Sequence, residues 1–298
     1  MNLHLRENRV HGEPMFPVSV YEVSEPSNGT LFDCHWHDEW EFMLIREGKV
    51  RVQLDMTEQI MTAGQAVFVG SGVLHGVFAC DANTCSLTAV VVHPEFLASK
   101  SYDALQAKYL DPLLHKKFQV NPIISGQSQA EREMIHGLQT VIDVVQQRKN
   151  AYEMVSKANL YMIFSKLFSG RQSSEATSPN ESMQIEKVKL ALSYIHHHYH
   201  EPIRLKDLSD ELGMSEAHFC RFFKRMTRRS PVSYLKEYRM QQAAKLLMET
   251  NHKVIEIAMQ VGFDHLSYFI SVFKSHYGMT PSQYRNRLHS SLGAKEQS

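Results

Sequence analysis

One unit is spelled twice in this chain, and the duplication restricts the fold more than any other feature of the sequence. The first copy reads Phe219-x3-Phe223-Lys224 and then Ser230-Pro231-x2-Tyr234; the second reads Phe269-x3-Phe273-Lys274 and then Thr280-Pro281-x2-Tyr284. Each copy follows a turn-forming glycine, Gly213 or Gly262. Each glycine follows a short apolar segment, with Leu205, Leu208 and Leu212 before one and Ile255, Ile257, Ala258 and Val261 before the other. Helix, tight turn, second helix is the layout of a helix-turn-helix, here present twice.

At 298 residues the chain exceeds a typical single core, so two domains are expected. The formal net charge of zero hides an asymmetry: from Met183 onward there are 17 Lys and Arg against 11 Asp and Glu, leaving 15 against 21 before it. A basic C-terminal part beside an acidic N-terminal part points to a polyanion as partner of the former alone. Cys34, Cys80, Cys85 and Cys220 lack the CxxC spacing of zinc or redox sites and any disulfide-dense pattern, which suggests reduced thiols in a cytosol. The opening residues lack the apolar core of a signal peptide and no run approaches membrane-span length, so the expectation is a soluble cytoplasmic protein.

From residue 18 to about 92, short apolar runs alternate with turns such as Glu47-Gly48-Lys49, Ala63-Gly64-Gln65 and Gly70-Ser71-Gly72, the pattern of a small antiparallel barrel or sandwich. Beyond Pro94 the period becomes helical. Met134, Leu138, Val141, Ile142 and Val145 mark one helix, and Met154, Ala158, Tyr161, Met162 and Ser165 the next. Such a pair serves either as a cover on the barrel or as a dimer interface. Residues 169–182, SGRQSSEATSPNES, read as a flexible linker. After them Ile185, Val188, Leu192 and Ile195 open a helical domain spanning 183–288, with a polar tail at 289–298.

The C-terminal hundred residues resemble the DNA-binding domain of AraC/XylS-type transcription regulators. The match runs from Leu205-x2-Leu208-x3-Leu212-Gly213-Met214-Ser215 through Arg239, Ala243, Leu246 and Leu247 to Ile257-Ala258-x3-Gly262-Phe263 and Gly278-x-Thr280-Pro281-x2-Tyr284-Arg285. The resemblance implies seven helices, helix-turn-helix units at about 205–226 and 253–276, a long helix at roughly 232–248 between them, and promoter DNA as partner. Two recognition helices about 34 Å apart reach neighbouring major-groove segments from one chain.

In the first recognition helix, 215–226, Phe219, Phe222 and Phe223 form the apolar face, leaving Glu216, Ala217, Cys220, Arg221, Lys224 and Arg225 outside. Arg221 suits guanine readout, since its fork is bidentate, while Lys224 and Arg225 suit phosphates. Ser215 is placed to cap the helix beside a phosphate. In the second, 264–276, His265, Leu266, Ser267, Tyr268, Ser271 and Lys274 are the corresponding DNA-side residues, and Ser271 stands where relatives often carry arginine. His196, His197, His198 and His200 read as a solvated, cation-favouring helix end. Arg228 occupies the turn position that is Gly278 in the second copy, where a positive φ would strain it.

The N-terminal part carries Gly29-x5-His35-x-His37-x3-Glu41-x6-Gly48 and Gly64-x5-Gly70-x-Gly72-x2-His75, which resemble the two cupin motifs; the second departs at Gly70 and Ala79. By parity on one strand, His35, His37 and Glu41 share the barrel interior, with His75 arriving from a neighbour. That set is able to hold Zn, Fe, Mn or Ni. The same residues with Trp36 also suit a small effector without metal, and Trp36, Trp40 and Phe42 suit stacking on a sugar or, equally well, a hydrophobic core.

The expected protein is therefore α+β: a cupin-like barrel with a helical pair over 1–168 and an all-α domain with two helix-turn-helix units. Its expected role is that of a non-enzymatic, ligand-responsive transcription regulator, an activator working with RNA polymerase, dimeric, with a sugar as effector. The alternatives are a metal-dependent cupin enzyme tethered to DNA and a constitutive DNA-binding protein whose barrel only dimerises.

Overall fold

A computed structural model describes residues 11–24, 29–80, 84–99, 101–115, 120–169 and 179–286. The chain divides into two compact units between Ile185 and Glu186.

The first unit is built on two antiparallel sheets. The strands are β1 (Val18–Ser24), β2 (Thr30–His35), β3 (Trp40–Glu47), β4 (Lys49–Leu54), β5 (Thr57–Thr62), β6 (Ala66–Val69), β7 (His75–Ala79), β8 (Ser86–Val92) and β9 (Ile123–Ile124). They order as β1-β8-β3-β6-β9 in one sheet and β2-β7-β4-β5 in the other. Strand β3 lies inside the first sheet and is covered on both faces. Its Met43 and Ile45 join Val50, Val52, Val67, Val77 and Leu87 in a core between the sheets. Its alternate residues, Trp40, Phe42 and Leu44, turn the other way and pack with the helices that follow.

A π-helical turn (Gln106–Leu110) runs into α1 (Asp111–Leu114), and the pair α2 (Gln129–Gln146) and α3 (Tyr152–Ser169) comes after β9. Helix α2 starts on a capping box: the Ser128 hydroxyl accepts from the Glu131 N–H at 3.1 Å while the Glu131 carboxylate accepts from the Ser128 N–H at 3.0 Å. Its Met134, Leu138, Val141 and Ile142 bury against the first sheet as the periodicity predicts. Helix α3 turns differently. Its buried face is Ser156, Leu160, Ile163, Phe164, Leu167 and Phe168, whereas Met154 and Met162 are 74% and 57% exposed. Of the expected stripe only Tyr161 reaches the core, donating its hydroxyl to the Leu97 carbonyl at 2.7 Å. Helix α3 is apolar on more than one face, so two stripes at helical spacing compete, and packing chose the one that carries Phe164.

The second unit is helical. Helix α4 (Pro179–His198) begins four residues inside the stretch expected to be linker, so 179–182 are its first turn. The rest of that stretch, beyond Ser169, and the expected tail lie outside the described residues. Then come α5 (Leu205–Glu211), α6 (Glu216–Thr227), α7 (Pro231–Glu249), α8 (Val254–Gln260) and α9 (Leu266–Tyr277), with residues 281–286 helical again. Helices α5 and α6 form one helix-turn-helix, α8 and α9 the other, and α7 packs against both units. Met240, Ala243 and Leu247 of α7 share a core with Ile257, Ala258, Val261, Phe269 and Phe273.

The turns differ in length: residues 212–215 join α5 to α6, and 261–265 join α8 to α9. Gly262 has φ +84°, and a Cβ there would lie 2.7 Å from the Tyr199 carbonyl, so the second turn admits glycine for both torsion and space.

Candidate functional site

Strand β2 delivers His35 at its end, and the chain then crosses to the other sheet over residues 36–39 before β3 begins. The histidine and glutamate ligands expected from a single strand thus come from three places: His35 from β2, His37 from the crossing, Glu41 from β3. They converge nonetheless. His75 opens β7 directly opposite His35 in the ladder, and the ligand atoms of His35, His37, Glu41 and His75 all lie within 4.8 Å of one another. His37 and His75 are 2% and 0% exposed and Glu41 3%.

The backbone decides which nitrogen each imidazole presents. The Nδ1 of His35 lies 2.8 Å from the Asp33 carbonyl, that of His37 3.1 Å from the Glu39 carbonyl, and that of His75 2.8 Å from the Val73 carbonyl. A carbonyl only accepts, so each Nδ1 carries the hydrogen and each neutral ring turns the lone pair of its Nε2 inward. Glu41 Oε2 stands 3.2 Å from His37 Nε2 and 2.9 Å from His75 Nε2. Burial raises the Glu41 pKa, but hydrogen bonds and charge from His37 and His75 together hold it far below the usual carboxylate range. With Nδ1–H committed to a carbonyl, a ring donates to Glu41 only when it carries a second proton on Nε2, and without that proton lone pair faces lone pair. The arrangement needs a proton on a ring or a cation in the middle. Orienting ring N–H groups onto carbonyls is what a metal-binding histidine requires of its surroundings, so this donor set fits a divalent ion of the Zn, Fe, Mn or Ni kind.

Trp36 is half-buried on the crossing, whereas Trp40 and Phe42 are fully buried on the opposite face of β3 from Glu41, Trp40 with its ring 4.8 Å from Phe164. They are core residues, which decides between the two uses open to them from sequence. Two neighbours escaped the motif. Glu39, buried, has its carboxylate 3.6 Å from His37 Nδ1, and its odd number beside 35, 37 and 41 was the available signal. His11, also buried, has its ring 5.7 Å from that of His37, and nothing in the sequence flags it.

In the second unit α6 buries Phe219, Phe222, Phe223 and Met226. On a 3.6-residue period the opposite line is Ala217, Arg221, Lys224 and Arg228, all exposed. Glu216 and Arg225 flank it exposed, and Cys220 is half-buried. Ser215 caps the helix, accepting from the His218 N–H at 3.4 Å. Arg228 was read only as a turn residue, yet it extends the cationic line and does adopt positive φ, at 63°. On α9 the matching exposed positions are Ser267, Ser271 and Lys274, with His265 and Tyr268 beside them; Leu266 is half-buried against the domain core.

The histidine run at the end of α4 departs from a solvated helix end. His196 stacks on Tyr238 at 4.1 Å and an interplanar angle of 11°, with its Nε2 2.9 Å from the Tyr234 hydroxyl. It joins α4 to α7. Among the described residues the one cluster with metal-ligand spacing is the quartet in the first unit.

A model of the cupin domain matches residues 22–92, and a model of a helix-turn-helix domain matches residues 208–287. The chain is 29% identical over 284 residues to the HTH-type transcriptional regulator YdeC of Bacillus subtilis, covering 95% of this chain and 96% of that one. It is 26% identical to the HTH-type transcriptional regulator YdiP of Escherichia coli, over 88% of this chain and 84% of that one. A solved C-terminal domain of the response regulator yesN from Fusobacterium nucleatum is 38% identical, covering 33% of this chain and 95% of that one, at a TM-score of 0.32.

Proposed function

We propose that the chain, an AraC/XylS-type DNA-binding, ligand-responsive transcription regulator with a cupin domain ahead of the helix-turn-helix domain, activates transcription in answer to a ligand held at the histidine–glutamate quartet. The observation that carries this reading is the tautomer-setting backbone around His35, His37 and His75, which prepares a binding site in a unit separate from the DNA-reading helices. We assign the quartet to sensing rather than turnover, because its donors are joined to a domain whose chemistry is DNA recognition. A bound divalent ion would supply a Lewis-acidic anchor for an oxygen-bearing effector, with Trp36 beside it. A sugar is less well supported than the sequence suggested, since Trp40 and Phe42 are withdrawn into the core.

On the DNA side, Arg221 reads a guanine, Lys224 and Arg225 hold phosphates, and Ser215 with the α6 N-terminus sets the depth of insertion. Glu216, Ala217 and Cys220 frame that contact. Helix α9 contributes His265, Ser267, Tyr268, Ser271 and Lys274, a set poorer in positive charge. The exposed Met154, Ala158 and Met162 of α3 suit pairing with a second copy, which makes a homodimer the working form. RNA polymerase is the further partner that activation requires. Among the described residues no helix is long and apolar enough to cross a membrane.

The test is binding of the full chain to its own promoter region, with and without Mn²⁺ or Zn²⁺, for the parent and Arg221→Ala. The expected outcome is that metal shifts the parent's DNA affinity and that Arg221→Ala costs about 1–3 kcal/mol of discrimination at one base pair. An affinity indifferent to metal and to every small molecule screened would leave a constitutive binder; an unchanged footprint for Arg221→Ala would remove that residue from base readout.

A further inference from the structure

We propose that residues 11–16 form a strap that ties the quartet to the turn between α2 and α3, so that filling the site is felt by the helix pair. The inference rests on reading the quartet as a ligand site. One end of the strap is His11, 7% exposed, whose ring lies 5.7 Å from that of the quartet's His37 and whose Nδ1 is 3.0 Å from the Tyr21 hydroxyl on β1. The chain then folds back on itself. Gly12 takes φ +76°, and a Cβ there would stand 2.5 Å from the Val18 nitrogen and 2.6 Å from the Phe16 carbonyl, so the doubling back is tight enough to exclude any side chain. Glu13 and Phe16 close the fold with reciprocal backbone hydrogen bonds of 3.0 and 2.9 Å. This is a short, stiff element.

The other end grips the α2–α3 turn by two unlike contacts. Glu13 pairs with Arg148 at 2.8 Å, and Arg148 donates to the Tyr152 hydroxyl at 2.6 Å while its guanidinium lies 5.1 Å from the same ring. Alone, an ion pair this exposed would hold little. Beneath it, however, Phe16 is 5% exposed and wedged edge-on between Tyr152 at 4.9 Å and Phe96 at 5.3 Å, which gives the strap an apolar seat on α3. Arg148 and Ala151 hold φ of 47° and 58°, so the turn receiving the strap is itself set in the left-handed region. A cleft of about 250 Å³, lined by Gly12, Phe16, Val20, Tyr21, Val145 and Arg148, runs alongside and gives the strap room to shift.

The mechanical consequence follows from close packing. A cation held by His35, His37, Glu41 and His75 would fix the His37 ring; His11 lies against that ring, and five residues later the same segment is seated on Tyr152. Packed elements pass on small displacements because interiors compress little. Helix α3 starts at Tyr152 and carries the exposed Met154 two residues on.

Amide exchange on the full chain, with and without Co²⁺, tests the strap, and the visible spectrum of Co²⁺ reports separately whether the quartet is filled. In the parent, Co²⁺ should slow exchange by about threefold or more at 12–18 and 146–152 as well as at 35–41. In Phe16→Ala, which removes the apolar seat, the Co²⁺ spectrum and the protection at 35–41 should persist while the response at 146–152 disappears; Arg148→Ala should only weaken that response. A response that survives in full in Phe16→Ala, or a parent that binds Co²⁺ with protection confined to the quartet, overturns the strap. A chain without Co²⁺ bands refutes the metal reading and leaves the strap to be judged by His37→Gln. That change should speed exchange at 146–152 in the parent background and not in Phe16→Ala, and no effect in the parent background overturns the strap.

Discussion

Arg228 ends α6 at φ 63° and ψ 0°, and Gly278 ends α9 at φ 72° and ψ −2°. The two are equivalent positions of the repeat with the same backbone and opposite fitness for it: a side chain in the left-handed region costs on the order of 1 kcal/mol that glycine avoids. Arg228→Gly should therefore raise stability in urea by about that amount. The same change removes an exposed cation from the line of Arg221 and Lys224, so affinity for every DNA sequence should fall and the slope of log affinity against log salt should flatten by about one ion. Stability gained and affinity lost would mean that the strain is kept for the contact; affinity unchanged would mean that Arg228 does not face phosphate. Ser215→Ala should cost about 1 kcal/mol in the same denaturation series, through loss of the α6 cap. Both residues were legible in the sequence because their roles depend on neighbours a few positions away. His11 was not, since its meaning comes from Tyr21 and His37, brought to it by the fold.

At the level of elements the quartet shows how a correct conclusion can rest on an incomplete premise. Parity placed His35, His37 and Glu41 together on one strand, but the strand ends at His35 and resumes in the other sheet at Trp40. The crossing keeps the side chains convergent because the two sheets face each other over the shared core. Parity also puts the even-numbered Trp40 and Phe42 on the face of β3 opposite Glu41, where they turn to α3, whereas periodicity alone did not say which face of α3 would be covered, and Met154 and Met162 stay outside the core. The turn of α3 has a physical cause: a sequence records which residues are apolar, while a neighbour from elsewhere in the chain decides which apolar face is covered. The α4–α7 seam was likewise illegible, and it carries its own prediction. Burial, with Tyr199 adding, pushes the Tyr238 phenol up from 10.0 to about 12 beneath His196. A raised pKa favours the neutral phenol in the folded state, so its stabilising contribution is complete below pH 10 and lost as pH climbs toward 12. Urea midpoints measured across that window should fall for the parent and fall less steeply for Tyr238→Phe; equal slopes would show that the seam opens before the phenol ionises.

For the molecule as a whole, the charge division bears directly on how many copies act together. Residues from Met183 onward carry the excess of Lys and Arg, and a single helix-turn-helix pair with one strong cationic helix commits few phosphate contacts. Two copies on one promoter would double those contacts and steepen the salt dependence accordingly. The surface to join them is available on α3, where Met154, Ala158 and Met162 recur every fourth residue, with the methionines 74% and 57% exposed and the small alanine between them allowing close approach. Exposed methionines at that spacing contribute nothing to the fold of one chain, so replacing them should leave its stability within about 0.5 kcal/mol. Met162→Asp puts a charge on the shared surface and should convert a dimer to a monomer in sedimentation, with the thermal midpoint at low protein concentration unchanged. The salt slope of DNA binding should then drop to about half, since each chain now releases only its own counterions. A Met162→Asp protein that sediments as the parent does would take the dimer face off α3, and the salt slope of the parent would have to be explained from a single copy.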